Sequence, residues 1–591
     1  MASRFLFLLL CLIPAVAATK KPAPAVKFKD GTPAQIAAAW MKTMSPRDKA
    51  AQLIIAPCFG ENPNVRSADY KRFSHWVQDL HIGGLIVLNR VVYGTVRNAE
   101  PVAMASFLNQ MQRLSPLPLI IGSDLERGAS MRIANTVKFP HNMAYAASGD
   151  LSASRFEGAE TAREARALGI HWIFAPVADV NNNPDNPIIN IRSYGEQPSS
   201  VAAHVAAYIE GAHSDPNNRV LVTVKHFPGH GDTAVDTHLG LPVIGGDRAR
   251  LDAVELVPFK AAIAHNVDAV MTGHLSVPAL EPLPIPATVS KAILTDLLRK
   301  ELGFQGLIIT DGMDMAGLTK MYSPAEAAVK SLEAGVDILL MPANVEGALK
   351  GILLALDNKT LSIKRLDQSV QKILEAKVRL GLNKKRFVDL EAINTIIESP
   401  ESESSAQSET DHAVTLVKND KDVFPLSSAS QSCLYLLPES KLSRQGLKFM
   451  EQVTARAPEL RTTFLDPGLP QMVFDDVVTK SQIGCKTILV AAFASITEYK
   501  GDTALAGGYS TFLQNLLKGS APVGLISLGN PYLLRNFPTV AAYATTYSTT
   551  STAEVAAVKT IFGEIPLTGR LPVNIPGYAK LGDGIQLPAR K

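Results

Sequence analysis

Residues 225–242 read KHFPGHGDTAVDTHLGLP and hold six ionisable side chains: Lys225, His226, His230, Asp232, Asp236 and His238. Three kinds of chemistry use such a set. For a metal, His226 and His230 have the i, i+4 spacing that aligns two ligands on a helix. Pro228 and Gly229 lie between them and Gly231 follows, which argues against a helix here. The His-x-His signature that metal-dependent barrel hydrolases carry at the end of a first strand is absent from QLIIAPCF (52–59). No metal and no cofactor are therefore expected. A structural role suits His230 and Asp232, polar side chains able to pin a glycine-rich bend. Acid/base work suits Asp236-Thr237-His238. In an extended or turning segment the carboxylate can meet the imidazole, orient it and raise its pKa. A histidine held in that way can protonate a leaving group and then take a proton from water. A nucleophilic carboxylate from elsewhere would complete a retaining glycosidase, and IITDGMD (308–314) offers Asp311.

The elements that would carry these groups repeat one pattern between residues 35 and 345: a helical stretch, a glycine, then a β-branched run ending in polar residues. In SKAILTDLLRKELGFQGLIITDGMDM (290–315), Ser290 suits an N-cap and Ile293, Leu294, Leu297, Leu298 and Leu302 share one helix face. Gly303 suits the left-handed position after the helix, and Leu307 to Thr310 reads as a buried strand. Eight such runs occur: QLIIAPCF, GGLIVLNR, LPLIIGSDLE, HWIFAPVADV, VLVTVKHF, DAVMTGHL, GLIITDGMD and DILLMPA. The alternation also suits an open doubly wound sheet, but the count of eight favours a TIM-like (β/α)8 barrel. Asp124, Glu126, Asp179, Lys225, His226, His274, Asp311 and Asp314 all stand at the carboxyl ends of these runs. In a closed barrel those ends share one face, where active sites are built. The barrel is expected over 30–385, a Ser/Glu-rich linker over 386–411, and a smaller α/β layered domain over 412–591. The second domain has no comparable cluster of acids and histidines and is expected mostly to support the barrel.

The 591-residue chain is 46% hydrophobic and carries a net charge of only +3 without a long basic run, which argues against nucleic acid as a partner. Arg4, the apolar run Phe5 to Leu12 and the small residues of AVAA form the three-part plan of a secretory signal over 1–18, too short for a membrane span. An exported protein, periplasmic or extracellular and without stable membrane insertion after cleavage, is expected. Leu10 stands where a lipoprotein signal ending at Cys11 usually has a small residue. Cys58, Cys433 and Cys485 make no disulfide framework, although Cys433 and Cys485 would bridge if the fold brought them together.

Taken together, SDLERGASMR (123–132), FAPVADV (174–180), INIRSYGEQP (189–198), the 225–242 loop and GLIITDGMDM (306–315) resemble glycoside hydrolase family 3, in its bacterial β-N-acetylglucosaminidase branch. GEIPLTGRLPVNIPG (563–577) resembles the end of that family's second domain. The resemblance implies Asp311 as nucleophile, His238 as general acid/base and Asp236 as its dyad partner. It implies Asp124, Arg132, Arg192, Lys225 and His226 as grips on the sugar hydroxyls, work for which charge-assisted hydrogen bonds suit. The expected substrate is a glycan ending in N-acetylglucosamine, from muropeptides or chitin. Activity as a β-glucosidase, β-xylosidase or phosphorylase is the alternative within the family. Outside it stand a metal-dependent hydrolase and a non-catalytic sugar binder, the latter disfavoured because Asp311 and His238 are both present. The family's Glu-Gly-Gly is Glu126-Arg127-Gly128 here, placing a charge at the subsite rim, and its Asp-Ser-His is Asp-Thr-His. Glycines 229, 231 and 240 imply a loop that moves, poising His238 only with substrate bound.

Overall fold

The structure is a computed structural model that describes residues 31–92, 95–496 and 498–590. The expected signal segment, with Cys11, lies outside these residues. Eight parallel strands form the first sheet: β1 (Ile54–Phe59), β2 (Gly84–Leu88), β3 (Ile120–Ser123), β4 (Trp172–Ile173), β5 (Leu221–Phe227), β6 (Ala269–Thr272), β7 (Leu307–Thr310) and β8 (Leu339–Leu340). Each pairs with its sequence neighbour from β1 to β7. β8 returns to β1, with Leu339 opposite Ile54, and a parallel bridge between Ile309 and Ile338 joins it to β7. The order is that of a (β/α)8 barrel, as the eight apolar runs predict.

The helices obey their local signals. Ser323 and Glu326 form a reciprocal capping box before Pro324–Ala334, and Gly335 ends that helix at a φ of +123°. The stretch after Ser290 differs from a regular α-helix: over Ala292–Glu301 it widens to the i→i+5 pattern, with Leu302 N–H donating to the Leu297 carbonyl. Its apolar face is still buried through Ile293, Leu294, Leu297 and Leu298, and Gly303 takes the expected positive φ of +70°. β4 is shorter than its apolar run because Pro176 has no N–H to give to a ladder. The Ala175 and Pro176 carbonyls instead accept from Thr223 and Lys225, which keeps the chain beside β5.

Residues 386–411, read as a linker, are ordered and largely helical. Pro400–Ala413 is a helix, and its Ala406 packs on Val137 and Phe139 of the barrel. The second sheet follows, with strands β9 (Thr415–Asn419), β10 (Ser432–Leu437), β11 (Arg461–Phe464), β12 (Thr487–Ala494), β13 (Val523–Gly529) and β14 (Ala542–Thr545). Their order is β9-β14-β13-β12-β10-β11, antiparallel only between β9 and β14. β12 shows why this is a layered domain. Ile488, Val490 and Ala492 enter one apolar cluster, while Leu489, Ala491 and Phe493 enter the other. Cys433 and Cys485 are joined in a disulfide with Cα atoms 5.7 Å apart.

The two domains meet over the barrel's loops. Asn181 donates to the Tyr532 hydroxyl at 3.0 Å, and the Asn574 N–H donates to Glu196 at 2.8 Å. His141 Nδ1 lies 2.9 Å from the Ser548 hydroxyl. Among the described residues no helix is long and apolar enough to cross a membrane.

Candidate active site

The end of β5 supplies a buried cation. Lys225 is buried with its Nζ 2.8 Å from Asp124 Oδ1 and 2.7 Å from Glu126 Oε1. Asp124 also accepts from Arg132 Nη2 at 3.1 Å, and Asn89 braces that guanidinium by accepting from Nη1 at the same distance. Glu126 takes two parallel hydrogen bonds of 2.8 Å from Arg192 Nε and Nη2. Burial alone would raise both carboxyls. Lys225 and Arg132 hold Asp124 below its ordinary range, and Arg192 with Lys225 hold Glu126 well below it. Four of the five expected sugar grips, Asp124, Arg132, Arg192 and Lys225, thus belong to one ion network tied together by Glu126.

The fifth, His226, belongs to a second network. Asp179, fully buried beyond β4, accepts from His226 Nδ1 at 2.7 Å and from the His226 and His230 backbone N–H groups at 3.1 and 2.7 Å. His226 Nε2 is thereby left for a ligand. The His230 ring is buried against the edge of His226, and burial pushes its pKa down to about 4. Asp232 faces Arg250 at 2.9 Å. Both hold the bend together. Among the described residues no group of three or more histidine, cysteine or carboxylate side chains is arranged to hold a metal ion.

Asp311 follows β7 directly, and its backbone N–H donates to the Thr272 carbonyl at 3.1 Å. Burial raises its pKa, but the nearby His226, His274 and Lys225 and the Gly312 N–H prevail and bring it to about 2. The carboxylate is therefore ionised at any physiological pH. His274 is locked beneath it. Its Nε2–H donates to the Gly312 carbonyl at 2.9 Å and its Nδ1 lies 2.8 Å from the Thr288 hydroxyl.

The loop after β5 brings Asp236 and His238 together. Asp236 Oδ1 accepts from His238 Nδ1 at 2.7 Å and from the His238 backbone N–H at 2.9 Å, a turn closed by its own side chain. Burial opposes a charged His238, but the Asp236 hydrogen bond and the nearby carboxylates raise its pKa above the ordinary value. The loop glycines do different work from a shared hinge. A Cβ on Gly231 would lie 1.7 Å from the Val180 carbonyl oxygen, and one on Gly229 2.8 Å from the Glu255 Cβ, so these two permit close packing. Only Gly240 has room around it, its Cβ meeting nothing nearer than Val235 at 3.9 Å.

Two groups reach this loop from the second domain, which has no acid-histidine cluster in sequence. The Tyr499 backbone N–H donates to Asp236 Oδ2 at 2.9 Å, and Glu498 Oε2 lies 3.7 Å from His238 Nε2. No local signal marked them. Glu126 and Asp179 were visible as strand-end acids, but their pairing with Arg192, Lys225 and His226 was not. Arg127 is half-buried and makes no side-chain hydrogen bond or ion pair among the described residues. Burial and neighbouring Arg132 depress its pKa to about 10, so it remains a cation beside Arg132 and Glu126.

An ionised carboxylate, an imidazole whose protonated form a carboxylate favours, and a lattice of charge-assisted donors and acceptors can hold a polyol and exchange a proton at one of its bonds. Comparison with known proteins points the same way. Residues 46–376 match the family model described as "Glycosyl hydrolase family 3 N terminal domain". The beta-hexosaminidase A of Pseudoalteromonas piscicida is 32% identical over 71% of this chain and 72% of its own length. A protein of Cellulomonas fimi named beta-N-acetylglucosaminidase/beta-glucosidase is 27% identical over 91% of this chain and 95% of its own. Among solved structures, a glycoside hydrolase family 3 beta-N-acetylglucosaminidase from Paenibacillus sp. str. FPU-7 is similar with a TM-score of 0.80 at 29% identity. It covers 90% of this chain and 99% of its own.

Proposed function

The chain belongs to glycoside hydrolase family 3, a glycosidase acting on β-linked sugars, and from that premise we propose an exo-acting, retaining β-N-acetylhexosaminidase. Its substrates are cell-wall fragments or chitooligosaccharides that end in β-linked N-acetylglucosamine. The observation that carries this reading is the 2.7 Å bond from His238 Nδ1 to Asp236, which leaves Nε2 free on the barrel face that also bears Asp311. In the first step an Asp311 oxygen bonds to the anomeric carbon while the glycosidic bond breaks, and His238 Nε2–H protonates the departing oxygen. In the second, His238 removes a proton from water, whose oxygen displaces Asp311 from the same carbon. Asp124, Arg132, Lys225, His226 and Arg192 grip the sugar or brace those that do.

β-Glucosidase activity is the second reading, favoured by the double name of the Cellulomonas fimi relative. Nitrophenol release from the N-acetylglucosaminide, glucoside and xyloside, each with and without phosphate, tests both. The acetamido sugar should be preferred and phosphate should leave the rate unchanged. Preference for the glucoside, or formation of sugar 1-phosphate, would replace this proposal.

Export is part of the same proposal. The signal pattern in residues 1–18 and the Cys433–Cys485 bridge, a bond favoured in oxidising compartments, both support it. N-terminal sequencing of the mature protein should begin close after Ala17 or Ala18.

A further inference from the structure

Among the described residues, a short turn of the second domain touches the acid/base loop. It follows β12 and is anchored within its own domain. Glu439 accepts from the Ser495 N–H at 3.0 Å on one side and lies 3.6 Å from Lys500 Nζ on the other. Between those anchors Glu498 and Tyr499 project toward the barrel. The Tyr499 N–H is the one donor to Asp236 Oδ2 among the described residues. The Tyr499 ring lies 4.9 Å from the imidazole of His238, inclined at 57°. Glu498 faces Nε2, the nitrogen that Asp236 leaves free. Beyond this turn, Leu239 is the nearest neighbour of a Cβ built on Gly501, at 3.1 Å.

From this geometry we infer that Glu498 and Tyr499 are positioning residues for His238, so that the second domain completes the acid/base device. The inference rests on the reading of His238 as acid/base. The Tyr499 amide holds one Asp236 oxygen and so directs the other at Nδ1. Its ring limits the tilt of the imidazole. Glu498 receives the proton-bearing Nε2 while the site is empty and yields it to the glycosidic oxygen when substrate enters. A side chain that is 58% exposed has the freedom to do so. Tyr499, itself 62% exposed, presents an aromatic surface on the leaving-group side.

The titratable groups facing His238 come from four segments: Asp236 on its own loop, Asp311 and Asp314 after β7, His274 after β6, and Glu498 in the second domain. Glu498 is an exposed carboxylate of the second domain and can be altered without emptying the barrel. Its charge helps to keep His238 protonated, so its removal should lower the pH at which the acid is lost.

The test uses full-length E498Q, E498D, Y499A and H238A proteins. Each is assayed across pH with an unactivated N-acetylglucosamine disaccharide and with the nitrophenyl glycoside. E498Q should move the basic limb for the disaccharide down by about half a pH unit or more, with a roughly three- to tenfold loss above it. The nitrophenyl glycoside should lose far less, E498D should restore the limb, and Y499A should lower disaccharide turnover. A wild-type profile for E498Q together with an unaffected Y499A overturns the inference. So does loss of disaccharide turnover in E498Q when H238A retains it, which would make Glu498 the acid itself. H238A separates the two levels: equal losses on both substrates would remove the acid/base reading beneath the inference. A selective loss in H238A with silent E498Q and Y499A would remove the inference alone.

Discussion

Arg192 grips Glu126 with two hydrogen bonds of 2.8 Å, and the same buried carboxylate lies 2.7 Å from Lys225. One acid thus compensates two of the cations assigned to the sugar. Glu126→Gln should leave both undercompensated, with a loss of about 3 kcal/mol in stability. It should also lower kcat/KM by roughly 10–100-fold, mainly through KM, because the grips lose their register. Chemical denaturation and steady-state kinetics measure the two effects. Unchanged KM would detach Glu126 from sugar binding.

Asp311 is the proposed nucleophile. Asp311→Ala should abolish both turnover and the intermediate trapped by a fluorinated sugar. Mass spectrometry of the trapped wild-type enzyme should place the label on the peptide containing Asp311. A label on another peptide would sink the assignment.

Removing the acid has a different signature. His238→Ala should spare sugar binding and reduce turnover of an ordinary glycoside by roughly 10²–10⁴-fold. A nitrophenyl glycoside, whose leaving group departs without protonation, should lose much less. In the wild type, the raised pKa of His238 should place the basic limb of kcat/KM above the ordinary histidine value of about 6.5.

Glu409, on the connecting helix, accepts from the Ser148 hydroxyl at 2.5 Å, and burial raises its pKa to about 8. The folded protein therefore holds this proton more tightly than the unfolded chain. Its stabilising contribution is full below the unfolded value and is lost as pH rises toward 8. Melting temperature should fall over that window, and Glu409→Gln should flatten the fall. Equal slopes in both proteins would count against a buried, protonated Glu409.

The Cys433–Cys485 bridge closes a loop of 52 residues in the second domain. Reduction, or Cys433→Ser, should cost about 4 kcal/mol. The loss should appear in the unfolding of the second domain before that of the barrel.

Much of this protein was legible in one dimension. An apolar run such as LIIT (307–310), set between a glycine and a polar end, announces a buried parallel strand because burial on both faces demands it over only a few residues. Asp236 and His238 meet because they lie only two positions apart and the turn between them is local. The close-packing glycines were visible, but not their purpose. Gly231 is tight against Val180, some fifty positions away, and that contact exists only in the folded chain. Arg192 choosing Glu126, 66 positions distant, and Asp179 collecting the His226 side chain from 47 positions away are decisions of the barrel's closure. Tyr499 reaching Asp236 across 263 residues is a decision of domain docking. Local pattern selects elements because its energetics lie within a turn or a strand. Partners of charged side chains are selected by burial and distance, which only the complete chain path determines.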